Sequence, residues 1–167
     1  MTECGPLISH TPWRQFQCLS SGRTLQGIME SRIDSPDPEN IPGEICVKGE
    51  NVMKGYYKNP EATNAVLDED GWLHTGDMGT RSADGTIFIK GRYKTMILTS
   101  NGQNIYPEEI EAKLNNMLHV SESLVVERKN HLVALVYPDY ESMDEAGITT
   151  DKLPEEMERV RIELNKL

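Results

Sequence analysis

Residues 72–111, WLHTGDMGTRSADGTIFIKGRYKTMILTSNGQNIYPEEIE, decide how the chain is read. A carboxylate, Asp77, sits in a tight glycine turn, Thr75-Gly76-Asp77. The turn signal Ala83-Asp84-Gly85 predicts a hairpin, and an alternating strand over residues 86–90 then delivers Arg92. A second alternating run, residues 94–99, reaches the turn Ser100-Asn101-Gly102, and Pro107 opens a helix. Two short strands thus meet at Gly91-Arg92-Tyr93 with an ionised group on either side of the junction. That arrangement suits a polar, anionic ligand better than a core. Asp77 can accept hydrogen bonds from both hydroxyls of a ribose diol. Arg92, always charged and with forked donors, can hold ribose oxygens or a phosphate. A turn carboxylate capping nearby amides also explains Asp77 taken alone.

Upstream, residues 5–33 are irregular, punctuated by Pro6, Pro12, Gly22 and Gly27. A strand is predicted around residues 29–33, a proline-rich loop over 34–42 and a short strand over 44–49. Asn59 as N-cap, Pro60 at the first helical position and Glu61 in the first turn predict a helix. Many short strands with glycine turns predict a small, distorted β-barrel-like subdomain. Trp72 is expected in the core, and Arg81 and Asp84 in exposed turns. Downstream of Pro107, Glu108, Glu109 and Glu111 lie near the helix N-terminus, and Ile110, Leu114, Met117 and Leu118 form a buried stripe. A hairpin across Lys129-Asn130-His131 follows, then a loop or short helix over 139–150 and an amphipathic helix over 154–167. The fold class is therefore α+β: the distorted β subdomain, a hinge, and a compact α+β lid domain. Expected boundaries are 1–91, 92–94 and 95–167.

The chain has 167 residues, 37% hydrophobic, and 13 glycines, which is ordinary globular composition. Its net charge of −10 argues against non-specific nucleic-acid or anionic-membrane binding. No run approaches the ~18 apolar residues of a membrane span, and no cleavable signal pattern is visible. Cys4, Cys18 and Cys46 are widely spaced and lack a CxxC, which predicts reduced thiols in a cytoplasmic protein. His10, His74, His119 and His131 show no metal-ligand spacing and are expected to be structural or surface residues. No GxxxxGK[ST] loop occurs.

HTGD followed by GRYKTMILTSNGQNIYPEEIE resembles the adenylate-forming acyl-activating enzymes, most strongly long-chain fatty-acid–CoA ligases. Three further segments agree in order and spacing. MTECGPLIS resembles the YGxTE segment entered mid-motif, GEICVKGENVMKGYY the GELxxxGxxVxxGY segment, and DGWLHTGD the aspartate motif. The resemblance runs from the start to about the end of the first long helix.

The resemblance implies a fragment of an ATP-dependent ligase that forms acyl-AMP and then acyl-CoA, with a fatty acid, ATP and coenzyme A as substrates and Mg²⁺ as cofactor. Thr2 would contact nucleotide phosphates and Glu3 would hold Mg²⁺, although both are expected to be disordered or displaced at the chain start. Asp77 and Arg92 would hold the ribose, and Lys94 matches the hinge position. Gly102 matches the glycine past which the pantetheine arm of CoA reaches the acyl-adenylate, and a plain Asn101-Gly102 hairpin turn explains it equally well. The phosphate loop, the acyl pocket and the catalytic lysine lie outside these residues, so no catalytic residue is assigned and the chain alone is expected to be inactive. It is expected to expose apolar surface that favours self-association, and membrane contact could come only through parts outside the chain. Two alternatives stay open: an adenylation domain delivering to a carrier-protein thiol, and a non-catalytic interaction module.

Overall fold

The computed structural model describes residues 2–5, 7–99 and 101–166. Expectations that fall on Met1, Pro6, Ser100 and Leu167 lie outside the described residues. The chain forms two compact units, Met1–Lys94 and Thr95–Leu167.

The first unit contains β1 (Ser9–His10), β2 (Gly22–Thr24), β3 (Met29–Asp34), β4 (Gly43–Gly49), α1 (Pro60–Asn64), β5 (Leu73–Arg81) and β6 (Thr86–Arg92). All six strands join one antiparallel sheet in the order β1-β2-β6-β5-β4-β3. The sheet curls: Thr24 Oγ1 on β2 and Ser31 Oγ on β3, strands that do not pair, lie 2.5 Å apart. The distorted barrel foreseen in the sequence is thus a curled half-barrel, closed by side chains rather than by a backbone ladder. Its core gathers Cys4, Met29, Ile33, Ile45, Val47, Leu73 and Ile87. Ile45, Cys46 and Val47 are consecutive and all buried, so β4 is covered on both faces.

Local sequence accounts for most of these elements. Asn59 caps α1 by accepting the Ala62 amide at 3.0 Å, with Pro60 at its start. Asp84 fastens the β5–β6 turn by accepting from Ser82 Oγ at 2.6 Å and from the Thr86 amide at 3.1 Å. Two expectations need correction. Trp72 is only half-buried, and what covers its ring includes the Arg32 guanidinium, 4.5 Å from the centroid, rather than apolar core alone. Arg81 is not a loose turn residue: it closes β5 and donates to the Ser31 carbonyl at 2.8 Å.

The second unit contains β7 (Ile97–Leu98), β8 (Asn104–Ile105), α2 (Pro107–Leu114), β9 (Val120–Arg128), β10 (His131–Pro138), α3 (Tyr140–Glu145) and α4 (Leu153–Leu164). β7 pairs with β8, and β9 with β10, each antiparallel. Lys129 and Asn130 both take positive φ, 52° and 61°, which gives a two-residue turn of the hand that suits a hairpin. Leu114, Val120, Val125 and Val160 form the core, with Ile110, Met117, Met157 and Leu164 packed around it. Leu118 departs from the expected buried stripe: it is 74% exposed. Helix α2 stops at Leu114, Asn116 Nδ2 turns back onto the Ala112 carbonyl at 2.6 Å, and His119 adopts φ 64° to enter β9. The segment 139–150 does hold a helix, capped by Asp139 on the Ser142 amide at 3.2 Å. No helix among the described residues is long and apolar enough to cross a membrane.

Candidate functional site

Asp77 owes its position to a bulge. On β4, Glu44 and Cys46 are two residues apart, yet their partners on β5 are Met78 and His74. Three residues, Thr75, Gly76 and Asp77, therefore stand where the partner strand has one, and the backbone must bow outward. Gly76 supplies the positive φ, +72°, that the bow needs. On the other side of β5, Asp77 is the register partner of Arg92 on β6.

Several hydrogen bonds hold the bowed segment. Glu44 Oε1 accepts the Gly76 amide at 2.9 Å, and Thr75 Oγ1 accepts the Asp77 amide at 3.1 Å. The same hydroxyl, on a 7%-exposed side chain, donates to the Ile45 carbonyl at 2.7 Å. The Tyr93 amide donates to the Gly76 carbonyl at 2.9 Å. A part-buried turn with its polar groups satisfied is rigid, because each broken bond would leave a desolvated donor or acceptor.

Arg92 Nη1 lies 3.3 Å from Asp77 Oδ1, with the arginine side chain 55% exposed and the aspartate 23%. A carboxylate and a forked cation therefore sit side by side on neighbouring strands. Together they can accept from vicinal hydroxyls and donate to ring or phosphate oxygens.

Glu3 has partners within the first unit. Residues Thr2–Cys4 form a 3-10 turn, and the Glu3 carbonyl accepts the Met53 amide at 2.6 Å. The Glu3 carboxylate accepts from Tyr56 Oη at 3.2 Å, and Asn51 Nδ2 donates to the Cys4 carbonyl at 2.7 Å. Burial of Cys4 and Met29 against the core supplies the anchor that sequence position alone did not suggest. Burial pushes the Cys4 thiol above its ordinary pKa, and the Glu3 and Asp77 carboxylates add to that effect. Cys4 thus lies within electrostatic reach of both acidic candidates. Thr2 is exposed.

Lys94 is exposed at the end of the first unit. Gly102 belongs to the second unit, in the β7–β8 hairpin, with φ +81° and its amide donating to the Thr99 carbonyl at 2.9 Å. Among the described residues, none other than its chain neighbours comes within 4 Å of where a Cβ on Gly102 would stand.

Sequence inspection missed Glu44, Thr75 as a turn clamp, and Tyr56. It also missed that His74 meets Cys46. His74 Nδ1 lies 2.8 Å from Glu44 Oε2 and 3.6 Å from Cys46 Sγ. Antiparallel register alone brings together residues so distant in sequence. Burial raises the Cys46 thiol pKa, and a hydrogen bond from Arg32 opposes that shift.

O-succinylbenzoate coenzyme A synthetase (MenE) from Bacillus subtilis, in complex with ATP and magnesium ion, superimposes with TM-score 0.75 at 32% identity, over 83% of this chain and 30% of that one. The chain is 39% identical over 171 residues to 4-coumarate–CoA ligase 5 of Oryza sativa subsp. japonica, covering 92% of this chain and 30% of that protein. It is 44% identical over 115 residues to a long-chain-fatty-acid–CoA ligase of Salmonella typhimurium, covering 66% of this chain and 20% of that protein. No protein-family model matches it. The chain belongs to the adenylate-forming acyl-CoA ligases. It spans less than a third of the length of each relative named here.

Proposed function

We propose that this chain is part of an ATP-dependent acyl-CoA ligase, supplying its ribose-binding pair, its hinge and most of its smaller domain. The observation that carries this is the Asp77–Arg92 pair, with Asp77 on a bulge, in a segment that resembles the aspartate motif of CoA ligases. In the complete enzyme an acid carboxylate attacks the α-phosphorus of ATP, giving acyl-AMP and pyrophosphate. The thiol of coenzyme A then attacks the acyl carbon and AMP leaves. Asp77 accepts from the ribose hydroxyls and Arg92 donates to ribose or phosphate oxygens, which fixes the nucleotide while charge develops at phosphorus.

Thr2 would contact phosphate and Glu3 would hold Mg²⁺. The donor set fits: Glu3 offers a carboxylate fixed by Tyr56, and Mg²⁺ takes one or two carboxylates together with substrate phosphates. Bound there, the ion would offset negative charge on the phosphates. Lys94 is the pivot about which the smaller domain turns between half-reactions, an exposed position whose dihedrals can change without disturbing a core. Gly102 then lines the path of the pantetheine arm, where a side chain would intrude.

A long-chain fatty acid is the acid this reading favours, on the strength of the 44% identity to the Salmonella enzyme. A hydroxycinnamic acid is the second reading, favoured by the 39% identity that extends over 92% of the chain. We place the protein in the cytoplasm, consistent with three cysteines that remain thiols. By itself the chain is inactive and prone to self-associate through Trp13, Phe16 and Leu19, which are 94%, 75% and 88% exposed.

The test is thioester formation by the complete protein, supplied with ATP, coenzyme A and either palmitate or 4-coumarate. Palmitoyl-CoA as the main product supports the fatty-acid assignment, and 4-coumaroyl-CoA the second reading. Neither thioester, with transfer instead to a carrier-protein thiol, would overturn both.

A further inference from the structure

We propose that Glu44, Cys46 and His74 form a binding site for a thiophilic divalent cation of the zinc type. Their donor atoms, a carboxylate oxygen, a sulfur and an imidazole nitrogen, all lie within 4.8 Å of one another. The mixture decides the metal class. Thiolate with imidazole selects zinc-like ions, whereas Mg²⁺ takes oxygen donors alone.

The spacing is close to what a tetrahedral ion requires. Bonds of about 2.3 Å to sulfur and about 2.0 Å to nitrogen place those two ligands about 3.5 Å apart. Cys46 Sγ and His74 Nδ1 already stand 3.6 Å apart as register partners across β4 and β5. Glu44 Oε2, now 2.8 Å from Nδ1, must withdraw to about 3.3 Å, the tetrahedral separation of an oxygen and a nitrogen ligand. Its side chain is 27% exposed, so the adjustment is a small rotation. Water can take the fourth position, since the His74 side chain is 31% exposed.

A separate feature points the same way. Asp68 Oδ2 lies 3.8 Å from His74 Nε2, on the opposite edge of the ring from Glu44 and Cys46. A carboxylate behind the distal nitrogen is the usual means of orienting a metal-binding imidazole. Charge favours a cation as well. Glu44, Asp34 and Asp68 carry negative charge around the Cys46 thiol, and Arg32, 3.7 Å from Asp68, offsets only part of it. Glu44 is shared, because its Oε1 holds the Gly76 amide at 2.9 Å. Occupation is therefore coupled through one side chain to the turn carrying Asp77; any effect on nucleotide rests on the ligase reading above, whereas metal binding does not.

The experiment titrates the 167-residue chain, carrying Cys18→Ser to remove the exposed thiol, with Co²⁺ and then Zn²⁺. One equivalent of Co²⁺ should produce sulfur-to-metal charge-transfer absorption that Zn²⁺ abolishes by displacement. Cys46→Ser should remove the band, and His74→Gln and Glu44→Gln should each weaken Co²⁺ binding at least tenfold. A band that persists in Cys46→Ser, or none in the Cys18→Ser chain, overturns the proposal. Should Cys46→Ser fail the circular-dichroism check for folding, unchanged affinity in a folded His74→Gln chain overturns it equally. No ligase activity is read, so either outcome leaves the ligase assignment standing or falling on its own tests.

Discussion

Gly76 and Gly102 hold the same left-handed backbone, φ +72° and +81°, in chain that is otherwise built differently. The Gly76 turn is clamped by Glu44 and by Thr75, whose hydroxyl is itself tied to β4. The Gly102 turn is exposed, and Thr99 hydrogen-bonds with Asn101 and Gln103 of the same hairpin. Arg92 Nη2 stands 3.4 Å from where a Cβ on Gly76 would be, whereas around Gly102 there is open space. One turn is tied down by its neighbours, and the other has open space beside it. The difference lies in the neighbours, not in the glycine.

The largest expected effect tests the clamped turn. On the proposed ribose-binding role, Asp77→Ala in the complete ligase removes two charge-assisted hydrogen bonds, each of about 1.5–3 kcal/mol, so kcat/KM for ATP should fall ~10²-fold or more. Steady-state kinetics at varied ATP checks this, and an effect under threefold would dismiss Asp77 as a ligand.

Core truncation should come next. Leu73→Ala and Leu114→Ala empty the most buried leucine sites of the two units, 1% and 2% exposed, at about 2–5 kcal/mol each. Urea denaturation followed by hydrogen exchange should place the first loss in the sheet and the second in α2, β9 and α4.

The two glycines then separate. Replacing either by alanine strains a positive φ by about 1 kcal/mol, measurable in urea. Gly76→Ala should also disturb Arg92 and raise the KM for ATP in the ligase. Gly102→Ala should leave that constant alone, and equal KM changes in both would erase the contrast.

The smallest effect concerns pH. Ser82, then Arg23 and Thr86, hold the Asp84 carboxyl well below the ordinary carboxylate range. A depressed folded pKa gives stability that is present above the unfolded value, about 3.9, and lost as pH falls below it. The urea midpoint should therefore drop from pH 4 to pH 2 by less in Asp84→Asn than in the native chain.

Some of this was visible in the residues. Asn59-Pro60-Glu61, Asp84-Gly85 and the period of α2 are local signals, and the elements they foretell are present. Asp77 and Arg92 could be proposed together because one hairpin joins them. The support beneath them could not. Glu44 reaches Gly76 across 32 positions, and Cys46 meets His74 across 28, through a register that a bulge displaces. Leu118 misled because helical spacing continues in the sequence after Asn115 and Asn116 have ended the helix. The contacts of Thr2–Cys4 are made with Asn51, Met53 and Tyr56, none of which advertises a partner.

The most direct test of the central claim measures both half-reactions of the complete enzyme in two variants. Acid-dependent ATP–pyrophosphate exchange reports adenylation, and thioester formation from preformed acyl-adenylate reports transfer to coenzyme A. Asp77→Ala should lose exchange, while Gly102→Val should keep exchange and lose transfer. Full exchange in Asp77→Ala would contradict the assignment of the clamped turn to the nucleotide.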